Sequence, residues 1–278
     1  MKSFKVPIDS LLVLLFGRIT GRKTIKEYYE RGGLSAKENY KNGKKEGFAK
    51  SYYENGKFHT EEKYKNGLLE GLKKVYFESG KLGAEVDFVN GKTEGLYKTY
   101  YNSGQLETVF HYKNNKAEGL AKAYYKSGRL RGKENYKNNL LDGLKKAYFE
   151  SGRPESEYYF VNGKAERLAK GYYKNGKLHG VANFVNDKKE GLEKIYFENG
   201  SLHNEVNYKN DKKEGLTKTF YKSGEIDYID TYKAGQKTNR KSYNEKGKLE
   251  FDQDYPYTEE NWHGRKTRFK RNDHIYLR

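Results

Sequence analysis

The sequence predicts an all-β fold: an array of 24-residue β-hairpins laid side by side in one long, twisted antiparallel sheet. The first observation is a period. Lysine recurs at Lys26, Lys50, Lys74, Lys98, Lys122, Lys146, Lys170, Lys194 and Lys218, always 24 residues apart. A period this strict marks a repeat array, with the unit as the thing to explain. The second is alternation. Counting from Gly71 as position 0, Leu72, Lys74 and Tyr76 alternate with Lys73, Val75 and Phe77, and Leu82, Ala84, Val86 and Phe88 alternate with Gly83, Glu85, Asp87 and Val89. A two-residue period is that of a strand. The third is punctuation: Glu78-Ser79-Gly80 and Asn90-Gly91 each read as a tight turn, the second being the strongest short hairpin signal. The unit is therefore strand, turn, strand, turn.

Taken in order, residues 1–22 precede the array. Ile8 to Phe16 is apolar apart from Asp9 and Ser10. It is shorter than the ~20 residues a membrane helix needs. It lacks an A-x-A-like cleavage site and is read as a short cap helix, opened by Pro7 and stopped by Gly17, with a poor signal peptide as the alternative. Residues 23–238 hold nine repeats, a weak one from Lys23 and eight full ones from Gly47. Position 0 is Gly47, Gly71, Gly95, Gly119, Gly143, Gly191 and Gly215, with Arg167 the internal exception, and an acidic residue precedes each. A further aromatic column runs through Tyr64, Phe88, Tyr112, Tyr136, Phe160, Phe184, Tyr208 and Tyr232. Residues 239–278 form a degenerate repeat and a basic cap. Trp262-His263-Gly264 is read as opening a last strand through Phe269. Strands ~4.8 Å apart make each unit advance the sheet by roughly 10 Å.

Composition agrees with a thin structure. Hydrophobic and charged residues are each 34%, a mix that argues for disorder except that aromatics reach 15%, with 28 Tyr. Tyrosine buries a ring while its hydroxyl tolerates water. A net charge of +18 attracts polyanions or acidic protein faces, and also serves solubility alone. The absence of cysteine excludes disulfides and thiolate metal sites.

The phrase G-x-x-K-x-Y-[YF]-x-x-G-x-[LF] followed by [YF]-[KV]-N-[GND]-x-x-E-G resembles the variant MORN repeat, which also occurs in bacterial antitoxins of the YwqK type. The resemblance covers residues 23–250, departing at Arg167 and at the end. It implies a MORN-like hairpin array that binds rather than catalyses.

The residues agree in offering little chemistry. There is no G-x-S-x-G elbow, P-loop, H-E-x-x-H or dinucleotide fingerprint. His59, His179 and His203 share one phase but lie a repeat or more apart, too far to share one metal ion, and are read as solvated turn residues. The acidic residues before the glycines and the lysines four residues later are read as a ladder of ion pairs. Two columns are candidate partner-binding residues. Lys50, Lys74, Lys98, Lys122, Lys146, Lys170, Lys194 and Lys218 read either as a cationic track for phosphates or as structural lysines covering aromatic surface. Tyr53, Phe77, Tyr101, Tyr125, Phe149, Tyr173, Phe197 and Tyr221, with small residues beside them, read as an accessible aromatic strip unless bending of the ribbon closes it. The basic, aromatic C-terminus reads as a contact for an acidic partner or a membrane, or as a solvated end.

Expected function is thus a non-enzymatic, protein-binding scaffold without cofactor or metal. The resemblance makes it an antitoxin or immunity protein that sequesters a toxin. The alternative is a peripheral module for anionic phospholipid. Nucleic acid is not the expected partner. The expected location is the cytoplasm, or outside the cell if the apolar segment acts as a signal.

Overall fold

A computed structural model describes residues 4–7 and 21–255. Their regular structure is one open antiparallel sheet of 25 strands with no helix. Each strand neighbours the next in the chain, so almost every contact is local. The proposed cap helix at 8–16 and the last strand at 262–269 lie outside the described residues. Pro7 closes an edge strand, Phe4–Pro7, which pairs antiparallel with Arg22–Tyr28. At the other end, Gln236–Tyr243 and Leu249–Asp254 continue the sheet as one more hairpin.

The unit is built as its turns demand. Strand Gly71–Tyr76 pairs with Leu82–Val89, which pairs in turn with Lys92–Tyr100. In the first turn Gly80 N–H donates to the Phe77 carbonyl and Phe77 N–H to the Lys81 carbonyl, each at 2.8 Å. This is a three-residue hairpin loop whose glycine takes positive φ, here 87°. The second turn is a two-residue loop with both residues left-handed: Asn90 at φ 50° and Gly91 at 77°. Asn114-Asn115, Asn138-Asn139, Asn186-Asp187 and Asn210-Asp211 adopt the same pair of conformations without glycine. Asn and Asp tolerate that region better than other side-chain-bearing residues.

Position 0 makes a bulge. Glu61 faces Lys74 and Tyr64 faces Leu69, so two residues of one strand oppose four of the next, and Gly71 takes φ 83° in the excess. Arg167 occupies the same place with φ 66°.

Neighbouring units are stitched along both turn edges. At one edge the hydroxyls of Tyr29, Tyr53, Tyr101, Tyr125, Tyr173 and Tyr221 donate to main-chain carbonyls of the next unit at 2.6–2.8 Å. At the other edge an acidic side chain caps the next two-residue turn: Glu70 accepts from Asn90 N–H at 2.9 Å and Glu118 from Asn138 N–H at 2.9 Å, and the same bond recurs from Glu46 with Asn66 to Glu214 with Ala234. The acidic column therefore does not form the expected ladder with the lysines four residues on. Its carboxylates sit beside turn amides that point outward without a strand partner, and a charged acceptor satisfies them.

Candidate functional site

The two faces of the sheet differ. On one, which we call inner, buried residues gather: Ala49, Ala121, Ala169, Ala182, Val206 and Thr217, with Glu193 4% and Asp230 2% exposed. Side chains here are small because long ones from adjacent strands fold across them. Lys73 and Lys145 reach Glu62 and Glu134 at 2.6 and 2.9 Å, and Asp230 holds both Lys237 and Arg240. Although burial opposes it, hydrogen bonds from Arg240 and Lys237 keep the Asp230 carboxyl below its ordinary range.

The aromatic column Tyr53, Phe77, Tyr101, Tyr125, Phe149, Tyr173, Phe197 and Tyr221 stands at the inner rim, and every ring is half-buried. Where the residue is Tyr, its hydroxyl bridges to the next unit. His59, His179 and His203 stack on Tyr53, Tyr173 and Phe197, with ring centroids 4.7, 4.7 and 4.2 Å apart. His179 and His203 are thus half-buried stacking rings rather than solvated ones, and burial pushes both below the ordinary histidine range. Between the rings, small side chains leave two grooves. One, of about 540 Å³, has Ala169, Gly171, Gly180 and Ala182 as its floor and Phe149, Tyr158 and Phe184 beside it. The other, of about 330 Å³, lies over Ala121, Ala123, Gly132 and Ala147.

The outer face carries the lysine column. Cross-strand register aligns it into one unbroken row, Lys26-Lys37-Lys50-Glu61-Lys74-Glu85-Lys98-Val109-Lys122-Lys133-Lys146-Glu157-Lys170-Val181-Lys194-Glu205-Lys218-Ile229-Lys241-Asp252. Lys50, Lys98, Lys146 and Lys194 pair with Glu61, Glu85, Glu157 and Glu205 at 2.9, 2.8, 2.6 and 3.1 Å. The ion-pair ladder exists, but its carboxylates come from the second strand of the hairpin. Tyr76 and Tyr100 hydroxyls also donate to Glu61 and Glu85, at 2.6 and 2.8 Å. Those bonds, after burial, hold both phenols up at about 12, while Lys50 and Lys98 keep the two carboxyls low. One column lysine, Lys50, lies over a ring, that of Phe58 at 4.7 Å; the other lysine–ring contacts use different lysines, such as Lys45 over Tyr64 at 5.0 Å.

Beside this row runs a column that sequence reasoning passed over: Phe48, Leu72, Leu96, Leu120, Leu144, Leu168, Leu192 and Leu216, one per unit. Seven of them are exposed, Leu168 by 48% and Leu216 by 50%. Their signal was present in the sequence: an apolar residue two places from a lysine on a single-layer sheet has no second layer to cover it. Among the described residues, no group of three or more His, Cys, Asp and Glu is placed to hold a metal ion.

Nine segments match the family model of the MORN repeat variant, residues 23–42, 45–66, 69–90, 93–114, 117–138, 141–162, 168–186, 189–210 and 213–234. The chain belongs to the MORN repeat variant family. The MORN match breaks between 162 and 168, where Arg167 replaces glycine, and it indicates no catalytic family. The array is a MORN scaffold of the kind compatible with non-enzymatic binding. No curated protein matches the chain. Among solved structures, a porin-like protein from Bacteroides uniformis is similar at 9% identity over 85% of this chain and 94% of that one, with a TM-score of 0.18. A score that low carries no argument about fold or function.

Proposed function

We propose that the protein is a non-enzymatic scaffold that binds another protein through its outer face. The observation that carries this reading is the exposed leucine column running beside the lysine row, repeated once per unit. An extended apolar strip rimmed by charge suits a protein surface that offers apolar anchors and carboxylates. The inner-rim rings Tyr53, Phe77, Tyr101, Tyr125, Phe149, Tyr173, Phe197 and Tyr221 contribute less in this reading, because all are half-buried and the tyrosine hydroxyls among them serve the array. Lys50, Lys74, Lys98, Lys122, Lys146, Lys170, Lys194 and Lys218 act at the margin of the contact, setting its orientation and salt dependence. The specific form we propose is an antitoxin or immunity protein that occludes a toxin, in keeping with the resemblance to antitoxins of the YwqK type.

The test is comparative capture from the native host. The wild-type chain is run beside a triple variant, Leu120→Lys, Leu144→Lys and Leu168→Lys, whose melting temperature is first checked against wild type. A partner held by the wild type and lost by the folded variant supports the reading. A partner retained by the variant, or a toxin-like neighbour unaffected by the purified chain, contradicts it.

A further inference from the structure

In the outer row a carboxylate separates the lysines wherever the second strand supplies one; Glu61 and Glu85 each accept from a row lysine and a tyrosine hydroxyl, forming a trio, whereas Glu157 and Glu205 are held by a lysine. Glu85 accepts from Lys98 Nζ and from the Tyr100 hydroxyl, each at 2.8 Å. In the unit that begins at Gly119, the residue at the place of Glu85 is Lys133. It lies directly opposite Lys122 on one side and Lys146 on the other. The remaining neighbour of Lys122 is Val109. Neither Lys122 nor Lys133 has a carboxylate within ion-pair distance among the described residues, and Lys122 is exposed. Lys146 is turned to Glu157 at 2.6 Å. Tyr148 lies two repeats after Tyr100, as Lys133 lies two repeats after Glu85; it stands in the electrostatic field of Lys146, and its hydroxyl has no hydrogen bond among the described residues. Like charges directly opposite on a sheet repel. The unit thus gathers the donors of the trio and replaces its acceptor with a third cation.

A second lysine run, Lys26-Lys37-Lys50, is not equivalent. Lys50 is folded over the Phe58 ring and tied to Glu61, and Lys26 faces the edge strand Phe4–Pro7.

We infer that Lys122, Lys133 and the Tyr148 hydroxyl form a site for a phosphate-class dianion, which takes the acceptor position that glutamate holds in the units around Glu61, Glu85, Glu157 and Glu205. Two ammonium groups without a carboxylate partner match the charge of a phosphate or phosphate monoester, and Tyr124 and Tyr148 follow Lys122 and Lys146 by two residues on the same strands. The site is independent of the protein-binding reading: either can fail without the other.

The experiment uses the full chain, Lys133→Glu, and the charge-matched control Lys137→Glu, whose lysine is exposed at the far end of the same strand. Inorganic phosphate is titrated by calorimetry at fixed ionic strength, and in a second arm the proteins are sedimented with phosphatidylcholine vesicles carrying phosphatidic acid. The expected result is that K133E weakens binding about tenfold or more while K137E changes it little, the loss of one charge-assisted contact set. K133E also restores the trio, so its melting temperature in phosphate-free buffer rises above that of wild type and no longer responds to added phosphate. Binding of inorganic phosphate assigns the site to soluble phosphate; binding of vesicles alone, with the same loss in K133E, assigns it to a lipid headgroup. Binding to neither, or equal loss in K133E and K137E, overturns the inference.

Discussion

Removing one tyrosine hydroxyl from the inner rim should loosen one joint between units, and adding one where the chain has Phe should tighten another. Tyr125 donates to the Tyr148 carbonyl at 2.7 Å across the joint. Phe77, Phe149 and Phe197 occupy the same position in other units and make no such bond. A part-buried hydrogen bond contributes about 1 kcal/mol net, so Tyr125→Phe should lower stability by roughly 0.5–1.5 kcal/mol. In a chain of this size that corresponds to a fall of about 2–4 °C in Tm. Phe77→Tyr is the reciprocal change: its new hydroxyl faces the Tyr100 carbonyl, and stability should rise by about 0.5–1 kcal/mol. Urea and thermal melts followed by far-UV circular dichroism read both variants, with Tyr124→Phe as a control that removes a hydroxyl lacking this bridge. If Tyr125→Phe melts with wild type and Phe77→Tyr gains nothing, the tyrosine stitches do not hold the joints and the reasoning fails.

Other expectations follow from the same geometry. Arg167→Gly relieves a left-handed backbone, worth about 1 kcal/mol, against a cation–π contact with Tyr159 at 4.1 Å that is worth about 0.5–1 kcal/mol at an exposed site; the variant should melt at or slightly above wild type, and a marked loss would show that Arg167 does more than stack. Glu118→Gln keeps the shape of the turn cap but removes its charge, and Glu118→Ala removes the acceptor; the first should cost a few tenths of a kcal/mol and the second about 1 kcal/mol, read by chemical denaturation. His179 and His203 are pushed below their ordinary value of 6.5 by burial, so the folded state favours the neutral rings. Their contribution is full above the unfolded value and is lost as pH falls from there through the lower folded value. Melting temperature should therefore drop more steeply below pH 6.5 in wild type than in the double variant His179→Gln/His203→Gln, and parallel curves would contradict the stacking assignment.

Much of the architecture was legible because it is local. The 24-residue period fixed the unit, Asn90-Gly91 fixed a turn, and alternation placed Lys74 with Leu72 and Tyr76 on one face. What escaped has a common cause. Reading down the period finds residues that stay constant, whereas pairing depends on the residue across the strand, and that residue varies from Glu85 to Val109 to Lys133. The lysine column looked uniform in sequence, yet the residues opposite tie four of its members, Lys50, Lys98, Lys146 and Lys194, to glutamates and leave Lys122 between Val109 and Lys133. The acidic column was invariant and still misread, because its partner is a main-chain amide 20 residues away, as for Glu70 and Asn90. The leucines were visible as an apolar row beside Lys74 but were not weighed as a site, because attention went to the aromatic strip on the opposite face.

The account stands or falls on the modularity of the array, and excision of one complete unit, residues 95–118, tests it most directly. The cut removes one glycine bulge, one hairpin and one Asn turn, and rejoins equivalent positions of neighbouring units. The shortened chain should fold, melt cooperatively at a slightly lower temperature, and show by small-angle X-ray scattering a long dimension reduced by roughly 10 Å, the width of two strands. An unfolded or aggregated chain, or one whose length is unchanged, would contradict the hairpin array itself.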